Sequence, residues 1–420
     1  MALAVTVVWS ALLAMSGPAV PRVLPLPAGH RSTEAHVAVD PTDARDVLVL
    51  ARDEDRGRRV GLRTWRSRDG GRSFRTRMLV DGRLAGAPAD ASDPVALFDH
   101  EGRPAPAFLA LRYGVSAWQS RIMLGDRTVA RDEHGPPFPT LGEGFGTRRW
   151  HDKPWAAIDA RDGLAHVAWT MRSSTETEPI ERIAVASAPP GQSFPPPHVL
   201  GDGNGAQPVL GPGPAVLVVW YRRPNLSQRA QILSSRSTDR GATWSAPHLV
   251  ATGVPARGDP PFPAVVRAGA GFAACWQEQP AGRRGHIRCT RSPDGASWTP
   301  PRTVAQPAGA GDATQPALAA TPDGRLWLAF YRFDRHATSV ELWCSRNSAR
   351  TWRRRTVLMR RPVPRSGSYF LGDYQGLAAT RSHIIAAFTM PVRSHAFRQV
   401  VEVARYATRP RPTNHRHTRF

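Results

Sequence analysis

The sequence predicts an all-β protein: a β-propeller of seven four-stranded blades, with a six-bladed ring as the alternative. Three observations carry this. First, an octapeptide of the form Ser-x-Asp-x-Gly-x-Thr-Trp recurs. It stands at Ser67–Phe74 and Ser237–Trp244, one residue shorter at Ser292–Trp298, with Asn for Asp at Ser345–Trp352, and without the Asp at Ser187–Phe194. Such a segment suits a hairpin turn. The carboxylate accepts turn amides, glycine supplies a positive φ, and the aromatic tucks beneath. Second, pairs of apolar runs begin near residues 35, 93, 152, 207, 259, 315 and 373, a spacing of 52 to 59. Third, Gly, Pro and Asp separate these runs and no helical period appears. Short antiparallel strands at such a period are the signature of propeller blades.

Each unit follows the same order. Unit one opens with Glu34-Ala35-His36-Val37-Ala38-Val39 and continues with Val47-Leu48-Val49-Leu50-Ala51-Arg52. Units two to seven open at Asp93, Asp152, Gln207, Asp259, Gln315 and Gly372-Asp373-Tyr374. Their second strands end near Arg112, Thr170, Arg222, Glu278, Arg332 and Thr389. A third, alternating strand follows in each, such as Gly61-Leu62-Arg63-Thr64-Trp65-Arg66, then the turn and an edge strand. Unit two has no recognisable turn of this type; its counterpart spans residues 120–138. Unit seven ends after its third strand. The segment Arg22-Val23-Leu24-Pro25 is the candidate fourth, which would close the ring by joining the termini. The organisation expected is a signal peptide at 1–19, a linker or closing strand at 20–33, one propeller domain at 34–407, and a basic disordered tail at 408–420.

The N-terminal signal is read from the apolar run Leu3 to Met15 followed by Ser16-Gly17-Pro18-Ala19. It is too short to favour a membrane span, and no later stretch reaches ~18 apolar residues. The destination expected is secreted or extracytoplasmic, at the cell envelope. Of 56 basic residues only Lys153 is lysine, and the arginines are scattered rather than clustered on periodic faces. Nucleic-acid binding is therefore not expected, because its footprint is a basic patch rather than total charge. Three cysteines are too few for a disulfide framework and lack metal-site spacing. Cys275 and Cys289 fall nearly opposite one another on an expected hairpin, either as a cross-strand disulfide or as two buried thiols.

The turns at 67–74 and 237–244, with the three weaker ones, resemble the Asp-box (BNR) repeats of the sialidase, or neuraminidase, superfamily. Asp152-Lys153-Pro154-Trp155 and Gly372-Asp373-Tyr374-Gln375-Gly376-Leu377-Ala378 are also similar to segments of secreted sialidase-like bacterial proteins. The resemblance covers residues ~34 to 406. It implies the propeller fold and a glycan-directed role, either an exo-acting glycosidase or a non-catalytic propeller that binds glycan or protein. Sialidases combine an arginine triad, an Asp acid/base and a Tyr activated by a Glu, on six blades with a Phe-Arg-Ile-Pro-like motif. Here Arg22-Val23-Leu24-Pro25 is only a faint echo of that motif, the repeat count is seven, and the triad has no residue-by-residue match. The resemblance makes Asp69, Asp239, Asp294, Trp244, Trp298 and Trp352 structural parts of the turns.

Blade geometry then locates the chemistry by exclusion. The octapeptide lies between strands three and four, on the rim shared with the turn between strands one and two. The opposite face collects the starts of first strands and the ends of second strands. Two carboxylates flanking a bond are the usual needs of a glycosidase, with a Tyr nucleophile as the sialidase exception. Glu34, Asp152 and Asp373 are accordingly candidate acid/base groups and Tyr374 a candidate nucleophile. Arg forks suit carboxylates or sulfates, so Arg112, Arg222 and Arg332 are candidate anion binders, with Glu278 and Lys153 also lining the site. The single Asp of each turn is not a calcium-ligand run, and no metal or cofactor is expected. A glycan is the expected partner and a monomer the expected state. The competing reading for each carboxylate is a bond to the backbone of the next blade.

Overall fold

The computed structural model describes residues 21–408 apart from 57–59, 81–82, 85–86, 114–117, 135–147, 175–178, 224–228, 255–259, 282, 305–310, 363–369 and 393–398. The signal segment at 1–19, the tail from 409 and Asp259 thus lie outside the described residues. Seven antiparallel sheets follow one another along the chain and close into a ring, a seven-bladed β-propeller. This is the fold expected, and the six-bladed alternative falls.

Blade 1 runs Arg31–Val39, Val47–Glu54, Val60–Ser67 and Arg75–Val80, from the axis outward. Blade 2 runs Ala87–Val95, Ala107–Tyr113, Trp118–Leu124 and Arg127–His134, with Arg83–Leu84 added at its inner edge. Blade 7 takes Gly376–Ala379, His383–Pro391 and Gln399–Ala407 from the C-terminal end. Its fourth strand is Arg22–Val23, paired Arg22 to Val403 and Val23 to Glu402. The ring is therefore locked by main-chain bonds between the two ends of the chain, which leaves no open seam for blades 1 and 7 to part along.

The core lies between blades rather than within one. Trp169, Trp220 and Trp276 sit at matching places on the second strands of blades 3 to 5, Phe330 takes that place on blade 6, and each is at most 1% exposed. Removing one such side chain costs about 3–5 kcal/mol. The aromatic that ends each recurring turn fills the seam with the preceding blade. Phe74 packs with Val47 and Ile385, Trp244 with Ala168 and Val185, Trp298 with Leu217, and Trp352 with Cys275. Cys275 and Cys289 are directly opposite on blade 5 and form a disulfide; Cys344 is a buried free thiol.

The turns themselves are closed hydrogen-bond units. Asp69 accepts Arg72 N at 2.8 Å, Ser73 N at 2.9 Å and Ser73 Oγ at 2.6 Å. Ser67 Oγ donates to Asp69 and accepts Gly71 N at 2.8 Å. Asp239 repeats this with Thr243 and Ser237, and its carboxyl is held down at about 2, first by the Thr243 hydroxyl. Burial pushes the Asp294 carboxyl up, but the amides of Ser297 and Ala296 outweigh it and hold it low.

One irregularity positions the functional face. The first strand of five blades slips register against the second at the same place: Thr33/His36, Ser92/Val95, Asp152/Trp155, Asn204/Gln207 and Thr314/Ala317. At each slip one residue takes a left-handed φ: Glu34 at 57°, Asp93 at 51°, Lys153 at 49°, Gly205 at 66° and Gln315 at 51°. A bulge of this kind bends the strand and re-aims a side chain. Four of the five are not glycine, so each holds roughly 1–3 kcal/mol of backbone strain. The strain turns a ring of long polar side chains towards the axis.

Candidate active site at the centre of the ring

Glu34, Asp93, Lys153, Asp373 and Tyr374 converge on the axis from blades 1, 2, 3 and 7. The Lys153 ammonium is ion-paired with Asp373 across the ring and lies 3.6 Å from Asp93 Oδ1. Carboxylate oxygens of Glu34, Asp93 and Asp373 fall within 4.8 Å of one another. Three carboxylates at that separation need a counter-charge, and Lys153 supplies it. Its ammonium also sits 5.4 Å from the centre of the Phe262 ring, a cation–π distance. Burial would discharge Lys153, but Asp93, Asp152, Asp373 and Glu34 outweigh it and hold its pKa well above the ordinary value.

The carboxylates differ in exposure. Glu34 and Asp93 are 3% and 4% exposed, whereas the Asp373 and Asp152 side chains retain 20% and 14%. Burial raises the Glu34 pKa, the charge of Asp373 raises it further, and Lys153 and Arg52 oppose. Burial likewise lifts Asp93 well above the usual carboxylate range, with Lys153 opposing and Glu34, Asp152 and Asp373 adding. Glu34 accepts Asp93 N at 3.2 Å and Ser92 Oγ at 3.4 Å, so it also ties blade 1 to blade 2. Gly372 makes room for it: at φ 108° a Cβ there would stand 2.6 Å from Glu34 N.

Aromatic groups floor the cluster. Tyr374 donates to Pro94 O at 3.0 Å and meets Trp155 edge-on at 5.2 Å. Burial, then the charges of Glu34 and Asp93, push its phenol well above the ordinary range. His36 lies 5.0 Å edge-on to Trp155 and accepts Ala96 N at Nδ1, 3.1 Å away. That bond fixes the Nε2–H tautomer, and burial lowers its pKa to about 4, so the ring is neutral. A chain of ion pairs and hydrogen bonds continues from Asp152 towards blades 3 and 4. Asp152 pairs with Arg172 at 3.2 Å, Arg172 with Glu181 at 2.7 Å, and Asn204 Nδ2 donates to Glu181 at 2.8 Å.

Of the residues singled out from sequence, Glu34, Asp152, Lys153, Asp373 and Tyr374 are brought together. The remaining four are not. Arg332 is buried, and its guanidinium forks onto Glu341 at 2.8 and 3.2 Å and onto Gly311 O at 3.0 Å. Glu278 meets Trp276 Nε1 at 3.2 Å and His286 at 3.4 Å within blade 5. Arg112 lies among basic neighbours, close enough to Arg121 to lower that residue's pKa after burial has done so. Arg222 ends its strand opposite Gln231. Arg332 and Glu278 thus turn onto the neighbouring third strand, and the axis is reached by the bulged first strands and by the segment before the first strand of blade 7. Asp93 is the main addition. Its signal was available in the Asp-Pro pair at a unit start, matching Lys153-Pro154 and Gln315-Pro316. Arg172, Glu181 and Phe262 gave no such signal, since none occupies a repeated strand start.

No family model matches the chain, and neither does any curated protein. Solved structures are similar in fold. A protein of unknown function from Dyadobacter fermentans is 12% identical, with 94% of this chain and 99% of that one covered at a TM-score of 0.52. An α-L-arabinanase of Penicillium chrysogenum is 12% identical over 93% and 98% of the two chains, TM-score 0.48. The NanB sialidase of Streptococcus pneumoniae is 12% identical over 94% and 71%, TM-score 0.45. The likeness to the Dyadobacter protein is one of architecture, a propeller built over nearly the whole of both chains.

Proposed function

We propose that the axial cluster is the acid–base centre of an extracytoplasmic glycan-cleaving enzyme, a sialidase-like glycoside hydrolase in the wide sense. The observation that carries this is the gathering of Glu34, Asp93 and Asp373 around Lys153, with Glu34, Asp93 and Lys153 on strained strand bulges. Paired carboxyl groups with different environments are what an acid and a base require. Asp373 and Asp152, the more open pair, are the working acid/base groups. Glu34 and Asp93 behind them store a proton. Tyr374 is the candidate nucleophile. In that role its proton must pass to an adjacent carboxylate, since its own ionisation is pushed up. The glycosidase and sialidase folds noted above fit this reading without deciding the sugar. The disulfide on blade 5 favours an oxidising compartment, in keeping with export directed by residues 1–19, and one propeller domain acting as a monomer suffices for it.

The test is release of sugars from sialylated, uronate-bearing and neutral glycans, with Asp373→Asn and Asp152→Asn beside the wild type. The expected result is release from one class, falling at least about 100-fold in Asp373→Asn. Absorbance of unsaturated products, read in the same assay, separates elimination from hydrolysis. No release from any glycan would sink the catalytic reading. The burial of Glu34 and Asp93 favours a second one, a non-catalytic propeller that binds glycan on this face. That reading requires unchanged glycan and saturable binding abolished by the same variants.

A further inference from the structure

Outside the axis, the seam between blades 1 and 2 departs from the repeat. Blade 2 lacks the recurring turn: its third and fourth strands join through the tight hairpin Leu124-Gly125-Asp126-Arg127. It therefore contributes no turn aromatic and no turn carboxylate to the face of blade 1; Phe98, 5% exposed, packs with Leu48 and Leu50 there instead, and the Arg66 guanidinium lies 5.8 Å from its ring centre. At that place there is a groove of about 710 Å³. Its walls include Arg66, Arg68, Arg75 and Arg77 from blade 1 and Pro104 from blade 2, and no aromatic side chain among the described residues lines it.

The seam between blades 4 and 5 shows what normally fills this position. Arg66 and Arg236 each directly precede the first serine of a recurring turn, so Arg66 corresponds to Arg236 and Thr64 to Ser234. On blade 4, Arg236 donates to Asp294 O at 3.2 Å and lies 3.7 Å from its carboxylate. Ser234 Oγ accepts the Trp298 indole at 3.1 Å. Both Asp294 and Trp298 belong to the turn of blade 5. On blade 1 the corresponding arginine turns to Asp46 and Phe98, Thr64 Oγ1 donates to Arg77 O at 3.1 Å, and both border an open groove.

The charge there is unbalanced. Arg66 and Arg68 share one carboxylate, Asp46. Asp69 is saturated by its own turn. Arg75 lies directly across from Arg66, and Arg77 across from Thr64, both exposed on the edge strand. Like charges directly opposite on a sheet repel. The described lining residues carry four guanidinium groups and one carboxylate, Asp69, while Asp46 and Asp40 act on Arg66.

We propose that this groove is a second binding site, taking the sulfate or carboxylate groups of an anionic glycan chain in place of the acidic turn that blade 2 lacks. Guanidinium forks match both groups bidentately. Among the described residues the groove offers no exposed aromatic for the base stacking that single-stranded nucleic acid uses, Phe98 being 5% exposed. The site is remote from the axial cluster and does not depend on the activity assigned there.

The test is titration of the full chain with a fluorescent heparin hexasaccharide, with polygalacturonate and a single-stranded DNA oligonucleotide in parallel. Arg75→Ser with Arg77→Ser is the test variant. Arg353→Ser with Arg355→Ser, an equal change of charge on the edge strand of blade 6, is the control. A loss of at least about 10-fold for the glycans in the first variant, and less than 2-fold in the second, supports the site. Equal losses in both would reduce the binding to diffuse attraction and overturn it. Binding unchanged in both would overturn it as well, and so would DNA bound as tightly as glycan and lost with the same variant. Circular dichroism confirms that each variant is folded, since all four arginines are exposed and none holds a core contact.

Discussion

The two faces of the propeller use the same side chain to opposite ends. On the turn-bearing face, Asp69, Asp239 and Asp294 each collect several donors from their own loop, and their carboxyls are held low. On the axial face, Asp93 and Glu34 are buried among other carboxylates and are raised. The difference is in what surrounds the oxygen atoms. Turn amides favour the ionised form, whereas burial and like charge favour the protonated one. A low carboxyl is a structural rivet, and a raised one beside an ionised neighbour is equipped to move a proton.

Replacing the one cation of the axial cluster should have the largest effect on stability. Lys153→Met leaves buried carboxylates without a counter-charge and should lose about 3–5 kcal/mol in urea denaturation at pH 7. The loss should shrink at pH 4, where those carboxylates take up protons. Equal losses at both values would mean that the cluster is not held by charge. Gly372→Ala comes next. Its new methyl group would collide with the backbone of Glu34, and a loss on the order of 2 kcal/mol is expected. Unchanged stability would show that this approach is not close in solution. Asp294→Ala removes the acceptor of one turn and should lose about 1 kcal/mol, measured as a fall in Tm.

The smallest effect is the most direct test of the contrast. The Asp294 pKa is lowered on folding, so its contribution is present above the unfolded value near 4 and is lost as pH falls through the folded one. The Asp93 pKa is raised, so its contribution is present below about 4 and lost as pH rises. Asp93→Asn should therefore gain stability relative to wild type between pH 4 and pH 8, by less than about 1 kcal/mol, while Asp294→Ala loses it over the same range. Parallel pH profiles for the two variants would break the comparison.

Much of this molecule was legible in the chain because its repeats are local. The turn segments at Ser67, Ser237, Ser292 and Ser345 satisfy their own hydrogen bonds within eight residues, so their spacing announced the blades. The pairing of Arg22-Val23 with the last strand was foreseeable from the strand missing in unit seven. Cys275 and Cys289 were legible as opposite residues of one hairpin, though not as bonded. The fates of Arg332 and Glu278 were not legible. Both stand at second-strand ends, as expected, but their direction depends on Glu341 and His286 of the adjacent strands.

The sequence by itself thus determined the blade count, the closure of the ring and the face on which polar strand starts collect, because each follows from periodicity and local turn chemistry. Only the tertiary structure decided which of those groups meet. The left-handed bulges at Glu34, Asp93 and Lys153 aim side chains across an axis where Lys153 meets Asp373, 220 positions away along the chain. Burial there sets their charge states. The open groove on blade 1 was decided in the same way, by a turn that the neighbouring blade does not supply.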